Sequence, residues 1–362
     1  MRHLFIPICL AAALSCACTS SSDRFDKGAS ALMDKFSALA AEGKIMYGHQ
    51  DDLMYGHTWR VAPDESGFTR SDVKESCGKY PAILGMDLGG IELDHECNLD
   101  GNKFEHIRAA AVKHHERGGV VTFSWHARNP LTGGDAWDVS SKEVVASILE
   151  GGSKHEYFHS WLCKLADYLD TFRDSEGELI PIIFRPWHEH TGSWFWWGED
   201  LCSEEQFKAL WKMTFDYLCH ERGLHNLLWS YSPGAGGISV ERIAERYPGD
   251  EMVDILGVDY YQYTDSEQFI KELSEALDIL GEFSRAHDKL FALTEAGYES
   301  IPQADWWTNA LYPALKGDSV PVYVLTWRNA CDRPEHFYAP FPGQESAEDF
   351  ARFADKEDIV LL

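Results

Sequence analysis

Positive charge is scarce in this sequence. Lys and Arg number 32 against 59 Asp and Glu, a formal net charge of −27 over 362 residues. That balance excludes a nucleic-acid partner, because phosphates would be repelled rather than neutralised. Acidic polysaccharides are disfavoured for the same reason. A neutral ligand is the natural inference, although charge for solubility alone accounts for the same number. Metal-type cysteine spacing is lacking too: beyond Cys18 there are Cys77, Cys97, Cys163, Cys202, Cys219 and Cys331, with no CxxC pair and no small-scaffold framework. Cys77 with Cys97 is the only close combination to test as a disulfide. No glycine-rich phosphate loop follows the first strand pattern, which leaves a doubly wound nucleotide-binding sheet without support. GxSxG and catalytic-cysteine contexts are absent, so acyl-enzyme chemistry has no foothold.

Long apolar runs are rare as well. The run Leu4 to Leu14, preceded by Arg2 and His3, is too short to span a bilayer as a mature helix. It continues into Ser15-Cys16-Ala17-Cys18 and then the polar stretch Thr19 to Asp23. This resembles a bacterial lipoprotein signal, in which a cysteine after small residues is lipidated. Cys18 is the expected lipidation site, with Cys16 the alternative. The expected division is therefore residues 1–18 as signal peptide and 19–362 as one catalytic domain. The protein is expected to be exported and held by lipid on the outer membrane, at its periplasmic face or at the cell surface.

What is plentiful is a recurring short apolar run that ends in something polar or aromatic. Eight such runs occur: Ile45–Gln50, Ala82–Asp87, Val120–His126, Ile180–Glu189, Leu227–Tyr231, Ile255–Tyr261, Leu290–Glu295 and Val322–Arg328. Helical spacing lies between them, most clearly over Ser266–Ala286, where Phe269, Leu273, Leu277, Leu280 and Phe283 fall at steps of three and four. Further helices are predicted over 104–117, 160–173 and 204–222. Strands alternating with helices predict a parallel sheet, and eight units predict a closed (β/α)8 TIM barrel of class α/β. A chain of this length suits one such barrel. Site residues in that fold stand at the C-terminal ends of the strands.

Two carboxylates end strongly apolar runs, Glu189 on the fourth and Glu295 on the seventh. Cleavage of a glycosidic bond needs such a pair, one to protonate the leaving oxygen and one to meet the oxocarbenium-like centre. Aromatic residues make up 13% of the chain and include 13 Trp. That exceeds what a core of this size needs, so some should line a site. Four of them, Trp187, Trp194, Trp196 and Trp197, crowd around Glu189, where they would exclude water and raise its pKa.

The fragments Arg185-Pro-Trp-His-Glu189, Gly192-Ser-Trp-Phe-Trp-Trp-Gly198 and Thr294-Glu-Ala-Gly297 resemble those of glycoside hydrolase family 26, whose best-known members are β-mannanases. Gly48-His-Gln-Asp51, Ser124-Trp-His126 and Trp327-Arg328 also resemble family positions, so the match runs from about Gly48 to Arg328. Where the wider clan commonly has Asn before its acid/base, this chain has His188, the family's own pattern. The resemblance implies an endo-β-1,4-mannanase with a retaining mechanism, Glu189 as general acid/base and Glu295 as nucleophile. It implies that Tyr261 donates a hydrogen bond to Glu295, with Tyr260 the off-by-one alternative and Arg185 a second donor. It implies that Trp194 stacks on a sugar, Trp327 floors the cleavage subsite, His126 and His188 hydrogen-bond the sugar there, and Arg328 grips the next sugar on the non-reducing side. The implied partner is a neutral β-mannan polysaccharide or oligosaccharide, and no cofactor is needed.

Rival readings remain at this level. A family relative acting on mixed-linkage β-glucan or β-1,3-xylan would carry much the same residues, and a sugar-binding lipoprotein could use the barrel without turnover. The histidines around Glu189 suggest a metal only superficially, because His188-Glu-His190 lacks the second histidine of HExxH. Trp196 and Trp197 suit a site or plain packing equally. His114 and His115 are expected on a solvated helix face. Asp51 and Asp52 suit either a sugar hydroxyl or a loop cap.

Overall fold

In the computed structural model, which describes residues 24–362, each of the eight apolar runs is a buried strand. They are β1 (Ile45–Gln50), β2 (Ile83–Asp87), β3 (Val120–Trp125), β4 (Ile182–Pro186), β5 (Leu227–Tyr231), β6 (Ile255–Tyr261), β7 (Leu290–Gly297) and β8 (Tyr323–Thr326). Neighbours in sequence pair in parallel, and β8 closes on β1 through Met46 to His49 against Tyr323 to Thr326. The expected (β/α)8 barrel is the observed fold. A short strand, Ile359–Val360, pairs with the start of β1. Cys18 and Cys16 lie outside the described residues.

Period-two alternation sorts the strand residues into two layers. Met46, Ile83, Val120, Ile183, Leu228, Ile255, Ala292 and Tyr323 point inward and pack together with Ala29, Leu32 and Phe36 of the helix Lys27–Ala41, which plugs the barrel floor. Outward-facing partners such as Leu84, Phe123, Phe184, Trp229 and Val258 meet the surrounding helices. Continuing the inward set up the strands leads to Asp87, Ser124, Arg185 and Asp259, so the upper interior is polar.

β7 breaks the alternation, and the break decides the site. Val258 pairs with Leu293 but Asp259 with Glu295, and on the other side Val324 pairs with Leu293 but Thr326 with Ala296. β7 thus carries one extra residue relative to both neighbours, a bulge at Thr294 and Glu295. Strict alternation from Ala292 would turn Glu295 outward; the bulge returns it to the interior. Thr294 anchors the bulge, its Oγ1 donating to Val258 O at 3.1 Å and to Asp259 Oδ1 at 2.6 Å. Gly257 is required beneath it, since a Cβ there would lie 2.6 Å from the Thr294 side chain.

The helix Ser266–Ala286 has the predicted bounds, with Asp265 capping it by accepting from Gln268 N. Phe104–Glu116 is as expected, whereas His155–Leu169 begins before the predicted 160–173, because its apolar stripe already starts at Phe158. Glu204–Phe215 passes into a π-helical turn over Asp216–Glu221. His114 does not face solvent. It is fully buried against Gly119, and burial holds its pKa down at about 3. The helix stripe Ile107, Ala110, Ala111 carries it into the core, which its polar neighbour Lys113 had concealed. Cys77 and Cys97 are not bridged; they and the other four described cysteines are free.

If the floor helix is the plug that completes the inner core, Phe36→Ala should cost about 3–5 kcal/mol of unfolding free energy. Urea denaturation checks this. A loss below about 1 kcal/mol would mean that the barrel closes its floor without that ring.

Candidate active site

β4 delivers Glu189 through a strained turn. Trp187 and Glu189 both adopt left-handed φ, 52° each, which non-glycine residues keep only when their surroundings hold them. The buried Trp187 ring supplies the hold. It meets Trp125 at 5.1 Å, Trp196 at 5.3 Å and Trp197 at 5.4 Å between centroids, and its Nε1 donates to Thr214 Oγ1 at 3.2 Å. Trp197 Nε1 donates to His188 O at 2.8 Å, Trp196 Nε1 to Ala127 O at 2.9 Å, and Glu189 N to Ser232 O at 2.8 Å. Trp187, Trp196 and Trp197 are completely buried scaffold, whereas Trp194 is 46% exposed in the mouth. Three rings fix the turn and one is left for a ligand.

Glu189 and Glu295 share that mouth but differ in their partners. Glu295, from β7, is buried; one oxygen accepts from Arg185 Nη2 and the other from Tyr261 Oη at 2.7 Å. Arg185 also donates through Nη1 to Asp259 Oδ2 at 2.9 Å and Ser232 Oγ at 3.0 Å. Burial alone would depress the guanidinium pKa, but Asp259 and Glu295 outweigh it and hold the group charged. Tyr260 turns outward to Glu272, so Tyr261 is the tyrosine at Glu295. Among the described residues the carboxyl group of Glu189 receives one hydrogen bond, from Trp194 Nε1 at 2.7 Å. Its pKa is pushed up to about 7, first by burial and next by the charge of Glu295. One oxygen each of Glu189, Asp259 and Glu295 lies within 4.8 Å of the others. Arg185 already brings positive charge to two of these three carboxylates.

On the side of β2 and β3, His126 Nδ1 pairs with Asp87 Oδ2 at 2.7 Å, and Ser124 Oγ donates to the same oxygen at 2.7 Å. Burial works against a charged His126, but Asp87 overrides it and raises the pKa. His188 moves the other way, held well below its ordinary value by burial, Arg185 and His126. Its Nε2 shares a hydrogen bond of 3.2 Å with His126 Nε2. His190 points elsewhere, into Phe207 and Tyr231 at 4.4 and 4.6 Å, so the two histidines beside Glu189 do not converge on one point. Trp327 is half-buried just past β8, its N donating to Ala296 O. Arg328 reaches Tyr55 Oη at 3.3 Å and Asp100 Oδ1 at 3.4 Å. Asp51 accepts from Tyr55 and Asn102, and Asp52 pairs with His49, so both aspartates serve internal networks.

Several residues of this arrangement had no role in the sequence reading. Asp87 and Asp259 lie at or near the C-terminal ends of their strands, as Glu189 and Glu295 do, and that position was their signal. Asp100, Tyr55 and Trp137 come from loops or a short hairpin, and no strand-end pattern points to them. Trp137 is 47% exposed and its ring lies 5.2 Å from that of His126 at an interplanar angle of 17°.

Chemically, the mouth offers a protonatable carboxyl near neutrality and a carboxylate held by two donors on the far side of a short gap. Exposed ring faces border both. A carboxyl pair of this kind at the C-terminal rim of a barrel is the arrangement that cleavage of a glycosidic bond needs. The model of glycosyl hydrolase family 26 matches residues 24–303, and the chain belongs to that family. A mannan endo-1,4-beta-mannosidase of Bifidobacterium adolescentis is 33% identical over 344 residues, 88% of this chain and 34% of its own length. One from Bacillus subtilis is 29% identical over 270 residues, 71% of this chain and 68% of its own length. The chain therefore spans about a third of the first relative and about two thirds of the second. The structure of a family 26 beta-mannanase from Bacteroides ovatus superposes with a TM-score of 0.88 at 47% identity, covering 92% of this chain and 94% of that one.

Because the indole N–H favours the ionised form of Glu189, Trp194→Phe should move its titration further above about 7. Carbon NMR of the labelled carboxyl would follow the midpoint in both proteins. An unchanged midpoint would mean that the indole bond is not made in solution.

Proposed function

We propose that the protein is an endo-β-1,4-mannanase that cleaves mannan, galactomannan or glucomannan with retention of anomeric configuration. The observation that carries this is the close approach of Glu189 and Glu295, with carboxylate oxygens within 4.8 Å. A retaining pair stands about 5–5.5 Å apart, against about 6.5–9.5 Å for an inverting pair. The mannan substrate is supported by family membership and by the mannanases to which the chain is similar.

In the first step Glu295 attacks the anomeric carbon. Arg185 and Tyr261 hydrogen-bond it and aim it, and Glu189 gives its proton to the departing oxygen. In the second step Glu189, now a carboxylate, takes a proton from water as that water displaces Glu295. His126, His188, Trp327 and Arg328 hold the sugars on the non-reducing side, and Trp194 stacks on the unit at the cleaved bond. No cofactor enters either step.

Two displacements restore the starting configuration, so the first product seen by proton NMR, before mutarotation, should be the β-anomer. Glu295→Ala should lose about 10⁴-fold or more in turnover on every substrate. Glu189→Ala should be rescued selectively on aryl glycosides with good leaving groups, with azide speeding release of the glycosyl-enzyme. A general acid must be protonated, so wild-type kcat/KM should be sustained below pH 7 and fall as pH rises through about 7, the raised value of Glu189. That limb should vanish in Glu189→Ala on activated substrates. An α-anomer appearing first would overturn both role assignments. Parallel incubations with mannan, β-glucan and xylan decide the polymer, and binding without new reducing ends would favour a sugar-binding protein instead.

Export and lipid anchoring at Cys18 belong to the same proposal, supported by the apolar run Leu4–Leu14 and the small residues Ser15 and Ala17. Cys18→Ala should shift the protein from membranes to the soluble fraction. Retention, with release only on Cys16→Ala, would move the anchor to Cys16.

A further inference from the structure

An exposed aromatic ring on the Glu189 side of the mouth has no part in the steps above. Tyr263 follows β6 and is 88% exposed, against 46% for Trp194. Both line a single cavity of about 360 Å³ that opens from Glu189. His126, His188, Trp327 and Arg328 do not line it, so this cavity is the half of the cleft on the acid side, where the leaving group departs. Among the described aromatic residues the Tyr263 ring meets only that of Tyr261, at 6.4 Å between centroids.

Thr191, Asp259, Tyr260 and Tyr261 also line the cavity, but the stretch Gly234, Ala235 and Gly236 leaves one part of its wall nearly free of side chains. A Cβ on Gly236 would meet nothing within 4 Å, and one on Gly234 would stay 3.7 Å from Thr191 and 3.8 Å from Trp194. Backbone here leaves open space between two ring faces, and this is what a flat, polar-edged ligand longer than one sugar requires. Folding does not account for the exposed ring, since an apolar face left in water forgoes burial. The C–H face of a pyranose would cover it.

We infer that Tyr263 is the platform for a second hexosyl unit on the leaving-group side, beyond the unit held against Trp194. The inference rests on the mannanase reading of Glu189 and Glu295. That second unit is either the next sugar of the main chain or a branch carried by the first; both present the same C–H face.

The test compares wild type, Tyr263→Ala, Tyr263→Phe and Gly236→Phe on three substrates. These are unbranched β-1,4-mannooligosaccharides reaching two units past the cleaved bond, the same chains bearing galactosyl branches, and an aryl glycoside with a one-ring leaving group. Tyr263→Ala should lower kcat/KM about tenfold on the extended substrates, the loss of one stacking contact, and stay within about twofold on the aryl glycoside. Tyr263→Phe should keep wild-type values, and Gly236→Phe, which fills the open wall, should reproduce the loss. A deficit on unbranched chains identifies the main-chain unit; a deficit confined to branched chains identifies the branch. Equal loss on all three substrates, or no loss on any, would overturn the inference. A wild type silent on mannan but active on β-glucan or xylan would sink the mannan assignment alone, and the same comparison on that polymer would then decide Tyr263.

Discussion

The guanidinium of Arg185 is the constraint around which the barrel interior is arranged. It lies nearly without solvent at the level where the apolar floor gives way to polar residues, and it binds Glu295, Asp259 and Ser232 at once. Two adjacent buried carboxylates repel, and the guanidinium placed between them offsets that repulsion. Removing one partner from such a buried set is worth about 3–5 kcal/mol, because the remaining charge is left uncompensated. The cluster ties β4, β6 and β7 together where a ligand would sit, so the geometry of the mouth and the placement of its nucleophile candidate are one problem.

Glu189 is the complement. Among the described residues no arginine hydrogen-bonds it; burial first and the charge of Glu295 next raise its pKa, and a single indole N–H works against them. The charge of Glu295 therefore helps keep Glu189 protonated, while Arg185 pulls more weakly the other way. This separation of two like groups into acid and base by environment alone is how paired carboxylates do complementary work at one pH. The tryptophan cage has a matching mechanical role. Two left-handed residues in one turn are unfavourable, and burial of three indoles behind them holds the turn where unaided backbone would relax.

Aromatic rings are divided the same way. Those at 187, 196 and 197 face the core and fix the backbone through their N–H groups, whereas 137, 194 and 263 are exposed around the mouth. Sequence proximity to Glu189 could not separate them, since all follow strand ends within loops whose direction depends on packing.

Local pattern was enough for the eight strands, for the helix Ser266–Ala286 and for the positions of Glu189 and Glu295, because period and strand-end chemistry are properties of short stretches. Composition alone carries the expectation of a neutral rather than a phosphate-bearing ligand, since net charge needs no fold. The rest is tertiary. His114 looked solvated beside Lys113 until the helix was docked, and Asp87 and Asp259 had no role until His126 and Arg185 were brought to them. The bulge at Thr294 is the plainest case. Read alone, Ala292 to Ala296 alternates, and alternation sends Glu295 out of the barrel. Only pairing with both neighbours, each one residue shorter across that stretch, turns the carboxylate inward, because register is a relation between strands and no single strand contains it.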